Sequence, residues 1–124
     1  MINSIFLVGL GGGLGSIARY LCQRWFTQAH PGDFPWGTFV VNITGCLLIG
    51  IIWGVSMKWL NFAENWKLFL MTGFCGGFTT FSAFALEGTG LIREEKIGIF
   101  LVYAGASVIL GLLATYVGFK ISRL

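Results

Sequence analysis

The chain has 124 residues, 56 % of them hydrophobic and 10 % charged, with a mean hydropathy of +0.81 and a net charge of +3. So apolar a composition excludes an ordinary soluble domain, which needs a charged surface to stay dissolved. The basic excess is small and scattered, which excludes a nucleic-acid footprint. What remains is an integral membrane protein, read as one transmembrane domain over residues 1–124.

Four apolar spans follow in chain order, at about Ile2–Phe26, Gly37–Leu60, Trp66–Ile92 and Ile97–Ile121. Each is longer than the roughly 20 residues a helix needs to cross a bilayer core. The breaks between them are His30-Pro31-Gly32-Asp33, Asn61 to Asn65, and Arg93-Glu94-Glu95-Lys96. Trp25, Trp36, Trp59 and Trp66 fall at span ends, where indoles favour the membrane–water interface. The first span has neither a basic leader nor a small-residue cleavage site, so it reads as a retained span rather than a signal peptide.

Four spans put both termini on one side, together with Lys58, Lys67, Lys120 and Arg123; the other side carries Arg19, Arg24, Arg93 and Lys96. Four basic residues against four give the positive-inside rule no preference. Two readings stand: coincidence in a chain with few charges, or a protein that inserts both ways and pairs with its own inverted copy. A four-span chain is also small for enclosing a pore alone. The small-xxx-small patterns Gly9/Gly13, Gly11/Gly15, Gly50/Gly54 and Gly73/Gly77 favour close helix contact and an oligomer.

In the first span, GLGGGLGSIARY resembles a nucleotide-binding glycine loop, but Ser16 stands where the third glycine belongs and no βαβ unit surrounds it. Close helix packing is the better account. Arg19 closes this run, either snorkelling to headgroups or drawing anions to a vestibule. His30, the only histidine, reads as a loop residue, and Cys22, Cys46 and Cys75 form neither a disulfide framework nor a metal-ligand pattern. In the second span Thr38, Asn42 and Gly45 share one helical face. The Asn42 amide is either interhelical glue or a donor to an anion.

The third span holds MTGFCGGFTTFSAFALEG, from Met71 to Gly88. Gly76–Gly77 costs about 2 kcal/mol of helix propensity relative to alanines, so the expected break lies there, with Thr79 and Thr80 able to satisfy freed backbone groups. A break at membrane depth is tolerated only where something meets the released carbonyls. In an inverted dimer, two carbonyls from each partner would form a four-oxygen cage suited to a small hard cation such as Na⁺. Phe81 and Phe84 share a face, and their ring edges carry the positive end of the quadrupole; packing is the competing account. Glu87 is the only carboxylate within a span, toward its end. In the fourth span Tyr103, Ser107 and Gly111 form a narrow stripe of hydroxyls and small surface.

GGGLGSIARY, GTFVVNITGCLLIG and above all TGFCGGFTTFSAF resemble the signature segments of the Fluc (CrcB) fluoride channel family, in order along the whole chain. The resemblance implies an all-α membrane protein of the cell inner membrane, a dual-topology antiparallel homodimer with a broken third helix, two fluoride pathways and a central structural Na⁺. Its Na⁺ carbonyls would be those of Gly76 and Thr79 from each subunit. Phe81 and Phe84 would be the pore rings and Asn42 an anion-facing donor, with Tyr103, Ser107, Thr38, Thr80 and Ser82 along the same route; Arg19 and Glu87 fall on family positions too. Ala83 stands where the family often has threonine, and Gly111 where some members carry serine.

The resulting expectation is a passive channel that exports fluoride, with fluoride, membrane lipid and a second copy of the chain as partners. The alternative is a small proton- or cation-coupled exporter, which usually needs a carboxylate at mid-membrane. A third reading, from another class, is a membrane assembly subunit that transports nothing. No nucleophile–base pair or ligand set suggests an enzyme.

Overall fold

The computed structural model describes residues 1–59 and 64–124. Among them, four helical spans are long and apolar enough to cross a membrane: Ile2–Ala29, Trp36–Lys58, Glu64–Arg93 and Ile97–Ser122. We call the first two α1 and α2. The third is interrupted. Its first part, α3, comprises an α-helical turn Glu64–Lys67, a π-helical stretch Leu68–Cys75 and a short α segment Gly76–Phe78. Its second part, α4, is Phe81–Arg93, and α5 is Ile97–Ser122. Span ends move by a few residues from the expected ones; Glu64 and Asn65 are helical rather than part of a loop. Leu60 and the segment Asn61 to Ala63 lie outside the described residues.

Helix ends follow local chemistry. α1 stops before Pro31 and Gly32, and Gly32 takes φ +145°, a conformation that suits a residue without Cβ. α4 ends in a Schellman motif: the Lys96 N–H donates to Leu91 O at 2.8 Å and the Glu95 N–H to Ile92 O at 3.0 Å. Glu95 occupies the left-handed position of that motif, with φ +60°.

Packing is organised by glycine. α1 crosses α3, and α2 crosses α5, with backbone against backbone. A Cβ on Gly11 or Gly15 would collide with the carbonyl oxygens of Phe69 and Phe74, and one on Gly77 with that of Gly12. Likewise a Cβ on Gly50 would collide with Thr115 O, and one on Gly118 with Leu47 O. Three of the four small-xxx-small patterns therefore act inside one chain, whereas Gly9 and Gly13 face open space. The fully enclosed apolar core is small, centred on Val41, Cys75, Phe78, Leu91 and Tyr103. Large apolar side chains such as Ile5, Phe6, Leu101, Leu112 and Tyr116 point outward, as a lipid-facing surface requires.

The break in the third span is not at Gly76–Gly77. Gly76 stays helical, at φ −62° and ψ −38°. Thr79 and Thr80 are the extended residues, at ψ 157° and 118°. Gly77 serves instead to bring α3 against α1, and β-branched threonines are the residues that most readily adopt extended backbone. Gly45 of α2 completes the corner: its missing Cβ is the space that the Thr79 methyl fills.

Candidate functional site

The break rearranges a full turn of backbone hydrogen bonds. In an unbroken helix the Thr80 N–H would donate to Gly76 O; here it donates to Asn42 Oδ1 at 2.8 Å. Asn42 Nδ2 in turn donates to Thr80 O at 3.0 Å, so one amide of α2 clamps both backbone groups of the break. The Ala83 N–H, whose helical acceptor would be Thr79 O, donates instead to Thr80 Oγ1 at 3.1 Å and caps α4. Thr80 Oγ1 also lies 3.1 Å from Ser82 Oγ. The Thr79 hydroxyl and N–H both donate to Cys75 O, at 2.9 and 3.0 Å. Finally Arg19 Nε of α1 donates to Gly77 O at 2.9 Å, so this cation is turned inward onto α3. The carbonyls of Gly76 and Thr79 thus lose their helical donors to Asn42 and to Thr80 Oγ1.

Beside the break lies a cavity of about 430 Å³, lined by Asn42, Gly76, Thr79, Thr80, Phe81, Phe84 and Ser107 among others. Phe81 and Phe84 stand with ring centroids 5.6 Å apart. Phe81 is 78 % exposed, an unusual position for a phenylalanine next to buried polar backbone. Phe84 packs on Tyr103, centroids 5.0 Å apart, and Tyr103 meets Phe34 edge-on at 5.4 Å. Tyr103 is fully enclosed, yet among the described residues its hydroxyl, like that of Ser107, has no hydrogen-bond partner. Two buried hydroxyls without partners are costly unless a ligand or water supplies one.

On the far side of Tyr103 is a second cavity, of about 660 Å³, between the ends of α1, α2 and α4 and the connecting segment that carries His30 and Asp33. Thr38 and Glu87 line it, with Arg24 and Gln23. Gln23 Nε2 donates to Thr38 Oγ1 at 3.0 Å, and Thr38 Oγ1 donates to Glu87 Oε1 at 2.5 Å, the short contact typical of a hydroxyl on a carboxylate. Ala83 lines this cavity too and adds no polar group to it. At Gly111 an added Cβ would find ordinary contact with Cys46 Sγ at 3.5 Å. Lys96 closes the outer rim by donating to Asp33 Oδ1 at 2.6 Å and pairing with Glu94 at 3.1 Å. The Asp33 hydrogen bond first, then that of Glu94, holds the Lys96 ammonium above the ordinary lysine range.

The predicted residues therefore gather in two places. Asn42, Phe81, Phe84, Ser107, Thr80, Gly76 and Thr79 surround the inner cavity; Thr38 and Glu87 belong to the outer one, and Tyr103 stands between them. Ser82 serves the cap beside the break, and Arg19 the α1–α3 contact. Two participants were not singled out from sequence, Phe34 and Gln23. Gln23 carried a signal: Gly11, Gly15, Arg19 and Gln23 recur every four residues, one inward face of α1.

Comparison with known proteins agrees with this architecture. Residues 6–119 match the family model described as CrcB-like protein, Camphor Resistance (CrcB). Among curated relatives, a protein of Flavobacterium psychrophilum named "Fluoride-specific ion channel FluC" is 45% identical over 122 residues, covering 98% of each chain. Proteins with the same name from Nitratidesulfovibrio vulgaris and Rhizobium meliloti are 42% identical, covering 99% of each chain, and 43% identical, covering 98% of each chain. The chain belongs to the CrcB family of membrane proteins.

Proposed function

We propose that the protein is a fluoride-selective passive channel of the cell membrane, which lets fluoride leave the cytoplasm. The observation that carries this reading is the pair of enclosed hydroxyls, unpartnered among the described residues, of Ser107 on the wall of the inner cavity and of Tyr103 between the two cavities. Fluoride is small and strongly hydrated, so removing its water in an apolar interior is very costly unless donors replace it. Tyr103 and Ser107 offer O–H donors, Asn42 keeps one N–H beyond the one given to Thr80, and the edges of Phe81 and Phe84 add a weaker positive lining. A narrow row of donors without a fixed cation in its middle holds the anion loosely enough for it to leave. Fluoride enters cells as neutral HF from acidic surroundings and ionises at neutral pH; an open path down its gradient lowers the internal level without a coupling ion.

The antiparallel homodimer belongs to the same proposal. It is supported by the balanced basic residues on the two sides and by Phe81, whose exposed ring beside the break calls for a covering partner. A structural Na⁺ fits the donor set: the carbonyls of Gly76 and Thr79 have lost their helical donors, and hard oxygen ligands suit a hard cation. These two carbonyls from each subunit would hold it, and bound there it would tie the two breaks together and lend positive charge to the interior.

Fluoride efflux from liposomes, with chloride as the control anion, tests the function; flux that requires a gradient of a second ion, or no flux at all, defeats it. Reporters on the two termini of the unmodified chain test the dimer, which a single orientation would exclude. For the cation, Thr79→Ala should spare Na⁺-dependent stability far more than a bulky substitution at Gly76, because main-chain oxygens are the ligands.

A further inference from the structure

We propose that Gln23 is a positioning residue, which fixes the direction of the Thr38–Glu87 hydrogen bond from the neighbouring helix and keeps the Glu87 carboxylate covered beside the ion's route. The inference rests on the channel reading above. A threonine hydroxyl has one proton and two lone pairs, whereas an amide nitrogen brings protons only. With Gln23 Nε2 at 3.0 Å, Thr38 Oγ1 is the acceptor of that bond, and its single proton is committed to Glu87 Oε1 at 2.5 Å. Thr38 is 3 % exposed, so water does not compete for these positions.

Two consequences follow for the anion. Thr38 has no proton left to offer, whereas the hydroxyl protons of Tyr103 and Ser107 are uncommitted among the described residues. The Glu87 carboxylate also carries a donor on the oxygen that faces Thr38, so its repulsion is reduced. Without the Gln23 N–H, the Thr38 hydroxyl would be free to turn away from Glu87. Glu87 would then lose its cover beside the ion's route. Gln23 reaches this junction because it continues the inward face of α1 that Gly11 and Gly15 set against α3. A side chain on the α1–α3 scaffold thus controls a proton shared between α2 and α4.

The test is fluoride efflux from liposomes holding the full chain, comparing wild type with Q23M, Q23E, T38V and the double variant Q23M/T38V. Q23M keeps length and near volume without the N–H and should lower flux about fivefold, the effect of one ordinary hydrogen bond. Q23E offers acceptors where a donor is needed, draws the Thr38 proton away from Glu87, and should lower flux at least as much. In the T38V background Q23M should cause no further loss, because Gln23 acts through Thr38; a merely structural role would give the same fold loss in both backgrounds. Size-exclusion profiles check assembly, and Q23A makes the same deletion should Q23M assemble poorly. Wild-type efflux judges the channel reading separately. With a conducting wild type, unaffected flux in Q23M, equal losses with and without Thr38, or full flux in Q23E would each overturn the role of Gln23.

Discussion

The two glycine crossings and the turn around Thr79–Thr80 are neighbours in space and opposites in chemistry. At the crossings of α1 with α3 and α2 with α5, helices stay regular enough for backbones to touch, and glycines such as Gly15, Gly50 and Gly118 exist to let carbonyls of the facing helix approach. At the break, the ladder is dismantled by side chains: Asn42 takes the Thr80 N–H, Thr80 Oγ1 takes the Ala83 N–H, and Arg19 takes Gly77 O. The first region sets backbone directly against backbone; the second takes the helical donors of Gly76 O and Thr79 O and, among the described residues, leaves the Tyr103 and Ser107 hydroxyls without partners. In a hydrocarbon setting such groups survive only where something else meets them. Stability is concentrated in the crossings and ligand chemistry in the break, so substitutions in the two regions should fail in different ways.

The largest effect is expected at the crossings. Gly77→Leu or Gly15→Leu drives a side chain into a carbonyl of the facing helix, where nothing flexible can yield, and should cost more than about 3 kcal/mol. The readout is loss of a monodisperse size-exclusion peak, with flux lost only as a consequence. A well-assembled Gly77→Leu protein would show that the crossing is looser than described.

Next come the rings and the clamp. Phe81→Ile and Phe84→Ile nearly preserve volume and hydrophobicity, so assembly should persist, while fluoride efflux should fall severely as the positive ring edges are removed. Asn42→Asp should do the same by taking away the N–H that holds Thr80 O and placing an acceptor there. Wild-type flux in both phenylalanine variants would reduce the rings to packing.

Tyr103→Phe sharpens the contrast further, because its two readouts should move in opposite directions. Removing a hydroxyl that has no partner among the described residues should leave stability unchanged or raise it. The same change deletes a donor to a charged ion, a bond worth about 1.5–3 kcal/mol, and should slow fluoride roughly 10- to 100-fold. A variant with lower stability and normal flux would place Tyr103 with the scaffold.

The smallest effect is expected at the rim. Lys96→Met removes the tether to Asp33 and Glu94, a solvent-exposed cluster whose contribution is modest and screened by salt. Because the folded state holds the Lys96 ammonium above the ordinary lysine range, the contribution is fully present below that range and is lost only as pH rises through the raised value. Thermal melts of wild type and Lys96→Met should therefore differ by a constant small amount across neutral pH and converge only in strong alkali. Convergence near neutrality would mean that Lys96 is not paired as described.

Much of this was legible in the chain itself. Hydropathy alone separates four spans, because each must satisfy its backbone internally and present apolar surface to lipid. The residue types around the site were legible too: threonines, paired phenylalanines and the amide of Asn42 are conspicuous in an apolar background. The place of the break was not. Local propensity points to Gly76–Gly77, since it senses only the preference of each residue for its own backbone, whereas the fold keeps Gly76 helical and uses Gly77 for contact with α1. What moves the break to Thr79–Thr80 is Asn42, 38 residues away, which competes for the Thr80 backbone. Which carbonyls are left over, that Arg19 turns inward rather than to headgroups, and that Gln23 meets Thr38 are all consequences of helix pairing. Composition and periodicity determined that helices would form and which residues would be polar; only the crossing of those helices decided which polar groups would meet, because a hydrogen bond between distant residues depends on geometry that no local pattern encodes.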